Sequence, residues 1–289
     1  MKKIRLIELF AGCGSQLMAL KAIGADVESW KICEWEVNAM TAYKAIHCPD
    51  DNKDYSDGQL DEYLIKELTE AGISNDGKQP MTEAQIRRKG EKWRRKIYNT
   101  ICATDNLVNI SDTTGKMLDI RETDKYTYVV TYSHPCTDLS VAGKQLGMSK
   151  GSGTRSGLLW EVERLLNELD TLGTLPQILL MENVTQVHSK KFIEDFEQWI
   201  SFLESKGYSN FYTDCNARNF GVPQNRDRCF MVSILGKANY EFPEEIPLNK
   251  CMGDYLESEV DEKFYINTEK AQKLIDNLIA DGTLQESGT

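Results

Sequence analysis

The feature that most constrains the fold is an apolar run followed at once by a glycine-containing turn and a helix-like stretch. Residues 4–10 read IRLIELF, a short continuous apolar run that is typical of a strand buried on both faces. AGCGS (11–15) and QLMALKAIG (16–24) follow directly. A strand, a glycine turn and a helix in this order indicate a ligand site, because such a turn brings backbone amides to a helix N-terminus.

The same alternation continues along the chain. Further strands are predicted at 27–34, 126–133, 177–184, 211–217 and 228–235, and helices at 37–46, 157–170 and 191–207. The connection between the last two strands is too short for a crossover helix, so these strands are expected to form an antiparallel hairpin. The sequence therefore predicts an α/β fold with a mostly parallel sheet, a C-terminal β-hairpin and helices on both faces.

Composition limits the classes of protein that the chain can belong to. The 289 residues carry a net charge of −11, which argues against a surface covered in basic groups but leaves room for a local basic cleft. No apolar run reaches eighteen residues, so we expect a soluble, intracellular protein. The cysteines show no CxxC pair and no zinc-finger spacing, and neither a disulfide framework nor a metal site is predicted. They stand at positions 13, 33, 48, 102, 136, 215, 229 and 251.

Candidate ligand-binding residues lie at the ends of the first strands. Gly12 and Gly14 allow close approach to the backbone, but Leu17 breaks the GxGxxG pattern, which favours a smaller adenosine-bearing ligand over a dinucleotide. Glu34 ends the second strand and is placed to accept hydrogen bonds from ribose hydroxyls. Asp119, at a predicted strand end, could accept from an adenine amino group. The alternatives are a surface carboxylate for Glu34 and a turn cap for Asp119.

Cys136 is a candidate nucleophile because of the residues expected around it. An isolated cysteine is usually buried and inert. Here Glu182 and Asn183 end another apolar strand, and Arg226 and Arg228 precede a third. A thiol, a carboxyl group and two guanidinium groups at the carboxyl edge of one sheet favour a reactive site over core packing.

Four segments resemble the motifs of the cytosine-5 DNA methyltransferase family. They are ELFAGCGS (8–15), HPCTDLSVAGKQLG (134–147), MENV (181–184) and GVPQNRDRCFMV (221–232), which stand in the family's order and at roughly its spacing. The resemblance implies a Rossmann-like class I methyltransferase fold, S-adenosyl-L-methionine as cofactor and duplex DNA as partner. It also implies a cytoplasmic protein of bacterial or phage origin, associated with the nucleoid, with no membrane or metal partner.

The resemblance also implies a role for each candidate residue. Cys136 would attack carbon 6 of cytosine, Glu182 would donate to ring nitrogen 3, and Asn183 would orient the nucleophile loop. Arg226 and Arg228 would hold the cytosine O2 and a nearby phosphate, and the segment 140–155 would close over the DNA. The implied cofactor-binding residues are Phe10, Ala11, Gly12, Gly14, Glu34, Trp35, Asp119 and Pro135.

The resemblance to this family also predicts the domain boundaries. Residues 1–236 form the predicted catalytic domain, with 50–118 as an inserted polar and basic segment. Within this segment RRKGEKWRRK (87–96), on a predicted helix, would either meet phosphates or form a solvated face of an inserted loop. Residues 237–289 are expected to be the start of a truncated target-recognition region, because GDYLESEVDEKFYIN (253–267) resembles only the entry to that region.

Several functional alternatives remain open from the sequence. The recognition region and closing motif of the family are not apparent, so a second polypeptide would supply them or the chain would be inactive alone. A tRNA cytosine-5 methyltransferase would carry the same four motifs. A noncatalytic binding module and a redox thiol protein are the remaining classes, although the latter lacks a resolving cysteine near Cys136.

Overall fold

A six-stranded sheet forms the centre of the part of the chain that the structure describes. The structure is a computed structural model and describes residues 2–136, 139 and 147–284. The strand order is β2-β1-β3-β4-β6-β5. In chain order the strands are β1 (Lys3–Leu9), β2 (Val27–Cys33), β3 (Tyr126–Tyr132), β4 (Ile178–Asn183), β5 (Tyr208–Asn216) and β6 (Asp227–Leu235).

Strand direction agrees with the sequence prediction. β1 pairs in parallel with β2 and β3, and β3 pairs in parallel with β4. β6 runs antiparallel to both β4 and β5, which makes β5 and β6 the predicted hairpin. The carboxyl ends of the four parallel strands therefore meet at one edge, where open α/β sheets bind their ligands.

Helices cover both faces of the sheet, as predicted. Helices α1 (Ser15–Ala22) and α2 (Val37–His47) contribute Leu17 and Tyr43 to a buried cluster that also contains Leu6 of β1. On the opposite face, α6 (Leu159–Thr171) and α7 (Ile193–Ser205) pack against the other side chains of the same strands. Because successive strand residues point to opposite faces, the continuous apolar runs supply both cores.

The segment 50–118, predicted as an inserted polar and basic segment, contains helices that pack around a core of their own. It contains α3 (Asp61–Glu70), α4 (Glu83–Arg88) and α5 (Glu91–Ala103). These helices share a buried cluster with α2, to which Leu68, Ile86 and Ile97 contribute. The basic stretch 87–96 is not one helix, since α4 ends at Arg88 and α5 begins two residues after Lys89.

The described C-terminal part is exposed. After short 3-10 turns at Met252–Tyr255 and Glu262–Phe264, it ends in α8 (Glu269–Ala280). None of the residues that the structure describes in α8 is buried, and apolar side chains such as Phe264, Ile266 and Leu274 face solvent. No helix within the described residues is long and apolar enough to cross a membrane.

Candidate active site

The glycine turn after β1 is joined to the end of β2 through the Glu34 carboxylate. Glu34 is buried, and its two oxygens accept hydrogen bonds from the backbone N–H groups of Gly12 and Glu36, each at 2.8 Å. Burial raises the pKa of this carboxyl group, while the backbone donors act in the opposite direction. Each oxygen retains further acceptor capacity, so the carboxylate can still receive hydroxyl donors from a ligand.

Gly14 is required for helix packing, and its predicted role in admitting a ligand to the backbone stays a prediction. Its φ is +80°, and an added Cβ would lie 2.3 Å from His47 Nε2 and 2.6 Å from Tyr43 Cε2. At Gly12, by contrast, an added Cβ would meet nothing within 4 Å among the described residues. Of the two glycines, only Gly12 therefore faces open space.

A cleft of about 610 Å³ lies at the carboxyl edge of the sheet. Five predicted site residues line it: Phe10, Glu34, Trp35, Pro135 and Cys136. The flat apolar surfaces of Phe10 and Trp35 stand beside the Glu34 carboxylate, a combination that suits an aromatic base joined to a ribose. Ala11, Gly12 and Gly14 form the turn below the cleft and do not line it.

Asp119 does not line this cleft, and its predicted contact with a ligand stays a prediction. It follows the 3-10 helix Gly115–Leu118 and has a φ of +50°, so it ends a turn and not a strand. Its carboxylate pairs with Arg121 at 3.2 Å, and its carbonyl accepts from Trp30 Nε1. Asp119 therefore caps a turn, a position that leaves open whether its carboxylate also contacts a ligand.

Part of the cleft comes from the helical unit and was missed by the sequence analysis. Lys78, Pro80, Asn109, Ile110 and Ser111 line one wall. The chain at 106–107 runs beside β2, because Leu107 N donates to Ile32 O at 2.8 Å, and this brings the residues that follow to the same edge. The apolar stretch NLVNIS (106–111) was the available signal. Arg155 and Leu158, after the nucleophile segment, also line the cleft.

Three hydrogen bonds hold the backbone carbonyls of residues 134–136, around the Cys136 thiol. The buried Asn183 side chain donates from Nδ2 to His134 O at 3.1 Å, and Ser156 Oγ donates to Pro135 O at 2.7 Å. Leu139 N donates to Cys136 O at 3.0 Å. Successive carbonyls on both sides of the thiol are thus fixed. Thr137 and residues 140–146 of the predicted mobile loop lie outside the described residues.

His134 is buried, and its imidazole is neutral. Asn183 Oδ1 accepts from Val184 N at 2.8 Å, so Nδ2 must face His134, where it lies 2.9 Å from Nε2. Nε2 is therefore the acceptor and the ring proton belongs on Nδ1. Nδ1 has no hydrogen-bond partner in the part of the chain that the structure describes. Burial lowers the pKa of His134 to about 3.

Glu182, Arg226 and Arg228 form a second cluster on the neighbouring strands. Arg228 Nε lies 3.0 Å from Glu182 Oε1, and Arg226 Nη2 lies 3.4 Å from the same oxygen. These three residues line a cavity of about 360 Å³ together with Phe220 and Phe230. Cys136 lines the larger cleft instead, so the predicted catalytic residues share one edge but face two cavities.

Comparisons with known proteins agree with this architecture. The family model described as C-5 cytosine-specific DNA methylase matches residues 69–286. The orphan methyltransferase M.SssI of Spiroplasma monobiae is 39% identical over 271 residues, covering 92% of this chain and 68% of that protein. The type II methyltransferase M2.ScrFI of Lactococcus lactis subsp. cremoris is 35% identical over 269 residues, covering 91% and 70%.

Solved structures support the fold. The S. pombe Dnmt2 methyltransferase superposes with a TM-score of 0.54 at 17% identity, covering 96% of this chain and 66% of that one. The sheet, the cleft at its carboxyl edge and the glycine turn define a Rossmann-like methyltransferase. The chain belongs to the C-5 cytosine-specific DNA methylase family, as the four motifs predicted. It spans about two thirds of the length of these relatives.

Proposed function

We propose that this chain methylates carbon 5 of cytosine in duplex DNA, with Cys136 as the nucleophile. The observation that carries the proposal is the Asn183 side chain, which fixes the carbonyl two residues before Cys136. The neighbouring Glu182 accepts from both arginines of the paired-arginine motif. Three of the four family motifs are thus joined by hydrogen bonds at one edge of the sheet.

The cleft fits S-adenosyl-L-methionine, which the family generally uses. Phe10 and Trp35 would contact the adenine and Glu34 the ribose hydroxyls, since its carboxylate is already oriented by Gly12 and Glu36. Pro135 and Cys136 line the same cleft, which brings the methyl-donor site next to the nucleophile. When bound, S-adenosyl-L-methionine supplies an electrophilic methyl group to carbon 5.

Cys136 performs the first covalent step in this proposal. Its thiolate adds to carbon 6 of cytosine, the carbon 5–carbon 6 double bond opens, and carbon 5 gains nucleophilic character. After methylation a base removes the carbon 5 proton, the double bond re-forms and the thiolate leaves. The hydrogen bonds at His134 O, Pro135 O and Cys136 O hold the thiol in one orientation for this attack.

Glu182 and the arginines would act on the polar edge of the base. Addition at carbon 6 pushes electron density toward ring nitrogen 3, and a carboxyl group there can donate a hydrogen bond or a proton. Arg226 and Arg228 now contact Glu182, and their guanidinium groups suit the cytosine O2 and a phosphate. We infer that substrate binding brings the two cavities together around the base.

The substrate base must leave the duplex to reach this edge, because carbon 5 is inaccessible inside a stacked helix. We propose that a polypeptide segment in contact with residues 246–284 supplies target recognition and a closing segment. The exposed apolar side chains of residues 246–284, including Leu256, Phe264 and Ile266, offer a surface for such a contact. Action on cellular DNA would place the protein in the cytoplasm with the nucleoid, in a restriction-modification or related role.

Transfer of tritiated methyl from S-adenosyl-L-methionine to duplex DNA or to tRNA tests the substrate. We expect label in DNA and a loss of at least about a thousandfold in Cys136→Ser, since the nucleophile is removed. Cys102→Ser is the matched control, because this thiol lies on α5 and lines neither cavity, and it should retain activity. Label in tRNA but not in DNA would contradict the proposal and favour the RNA-directed alternative.

A further inference from the structure

Three potential metal ligands meet on the hairpin side of the sheet. His188 follows β4 in a 3-10 turn, Asp214 lies on β5 and Cys229 on β6. One ligand atom from each of the three lies within 4.8 Å of the other two. His188 Nε2 is 2.8 Å from Asp214 Oδ1. The sequence predicted no metal site because the ligands are far apart in the chain, and only strand pairing brings them together.

The sheet register fixes two of these ligands on one face. Asp214 and Cys229 are directly opposite each other in the antiparallel pair, so their side chains project to the same side. The His188 ring lies over this position, packed between Phe196 of α7 and Tyr212 of β5 at centroid distances of 5.9 and 5.7 Å. Aromatic packing therefore orients the imidazole toward the other two groups.

Burial and exposure at the cluster suit a bound cation. Cys229 is fully buried, while the His188 and Asp214 side chains are 27% and 42% exposed, which leaves an entry path from solvent. Burial, aided by the Asp214 charge, raises the pKa of the Cys229 thiol to about 12 in the metal-free protein. A divalent cation would be neutralised by one thiolate and one carboxylate, with the imidazole as a neutral third ligand.

We propose that His188, Asp214 and Cys229 bind one zinc-class divalent ion. A thiolate, an imidazole and a carboxylate are ligands of zinc and its substitutes, whereas magnesium and calcium prefer oxygen alone. At zinc bond lengths, ligand atoms in a tetrahedron lie roughly 3.4–3.8 Å apart, so small side-chain rotations suffice. On binding, the Cys229 proton passes to solvent and the metal–sulfur bond replaces it, and water fills the fourth position.

The site would tie two catalytic elements together. His188 is six residues beyond Glu182 in the chain, and Cys229 is next to Arg228. A metal ion would therefore link the segment after β4 to the hairpin that carries both arginines. Its role would be structural, and it does not depend on the proposed methyl transfer.

Cobalt titration of the full chain, purified without a histidine tag, tests the site. Co²⁺ bound to a thiolate gives a near-ultraviolet charge-transfer band, and we expect that band to saturate at one equivalent and to fall when Zn²⁺ competes. Cys229→Ser should abolish the band. His188→Gln changes a partly exposed position and should weaken Co²⁺ binding by at least about tenfold. A tenfold loss of affinity is the smaller effect expected even when the residue removed contacts a metal ligand and not the metal itself.

Cys215→Ser is the matched control, because Cys215 is adjacent to Asp214 but is not one of the three ligands. It should keep the band. Thermal melts without metal establish that each variant is folded, and Zn²⁺ should raise the Tm of the wild type and of Cys215→Ser but not that of Cys229→Ser. A band that survives in Cys229→Ser, or the absence of any thiolate band in the folded wild type, would overturn the proposal and leave a His188–Asp214 hydrogen bond only.

Discussion

At the scale of single residues, the motifs identify which side chains matter but not how the fold holds them. Cys136, Glu182 and the two arginines were predicted from their motifs, and the structure places them at one sheet edge. Asp119 was predicted at a strand end but lies in a left-handed turn, where its carbonyl accepts from Trp30 Nε1. The neutral state of His134 also depends on tertiary burial, which no local pattern reveals.

Replacement of His134 by Phe tests the buried contact with Asn183. The change leaves one N–H of Asn183 unpaired, so we expect the free energy of unfolding at pH 7 to fall by about 1–3 kcal/mol. Urea unfolding measures this difference. Tyr208→Phe is the control, since it also removes one buried hydrogen bond, from Tyr208 to Pro176 O, but it leaves His134 in place.

Burial of His134 also predicts how the stability of the protein depends on pH. The folded-state pKa of His134, about 3, lies below the unfolded value of about 6.5, so between them only the unfolded chain binds this proton. His134 therefore makes stability fall as pH decreases from 6.5 toward 3, with a slope of up to about 1.4 kcal/mol per unit. The difference in the free energy of unfolding between wild type and His134→Phe should therefore become smaller as pH decreases from 6.5 toward 3. A difference that does not change with pH would contradict the assignment of a neutral His134 in the folded protein.

At the scale of elements, the strands, their mostly parallel direction and the C-terminal hairpin were predictable because continuous apolar runs separated by helices permit few arrangements. The helical unit at 50–118 was not, since its polar surface conceals a small core that forms only when α3, α4 and α5 pack against α2. Charged side chains of this unit form ion pairs and hydrogen bonds within it. Arg94 is buried, donates to Asp61 at 2.7 Å and also contacts the carbonyls that end α4.

Arg94→Met tests whether this basic stretch is structural. Removing the buried guanidinium leaves Asp61 and several carbonyls without their donor, and we expect a loss of about 2–3 kcal/mol in the free energy of unfolding. This is below the cost for a fully buried pair, because Asp61 is partly exposed. Arg88→Met, an exposed change in the same stretch, should stay within about 0.5 kcal/mol. Equally small losses from both would indicate a solvated face, one of the two alternatives that the sequence left open.

At the scale of the whole molecule, the site is divided between two cavities along one edge. The larger cleft is lined by Glu34, by residues of the helical unit and by Cys136, whereas the smaller is lined by Glu182 and the arginines. Asn183 connects them, since it is adjacent to Glu182 and binds the chain entering Cys136. A base inserted at this edge would contact both groups, and this arrangement is the central claim of the proposed function.

Covalent trapping on duplex DNA that contains 5-fluorocytosine tests this claim most directly. Fluorine at carbon 5 cannot be removed as a proton, so attack and methylation leave the protein bound to the DNA through sulfur. With S-adenosyl-L-methionine present, we expect an adduct that resists denaturation, is absent in Cys136→Ala and is retained in Cys102→Ser. An adduct that persists in Cys136→Ala, or no adduct from the folded chain with or without a partner polypeptide, would contradict the account.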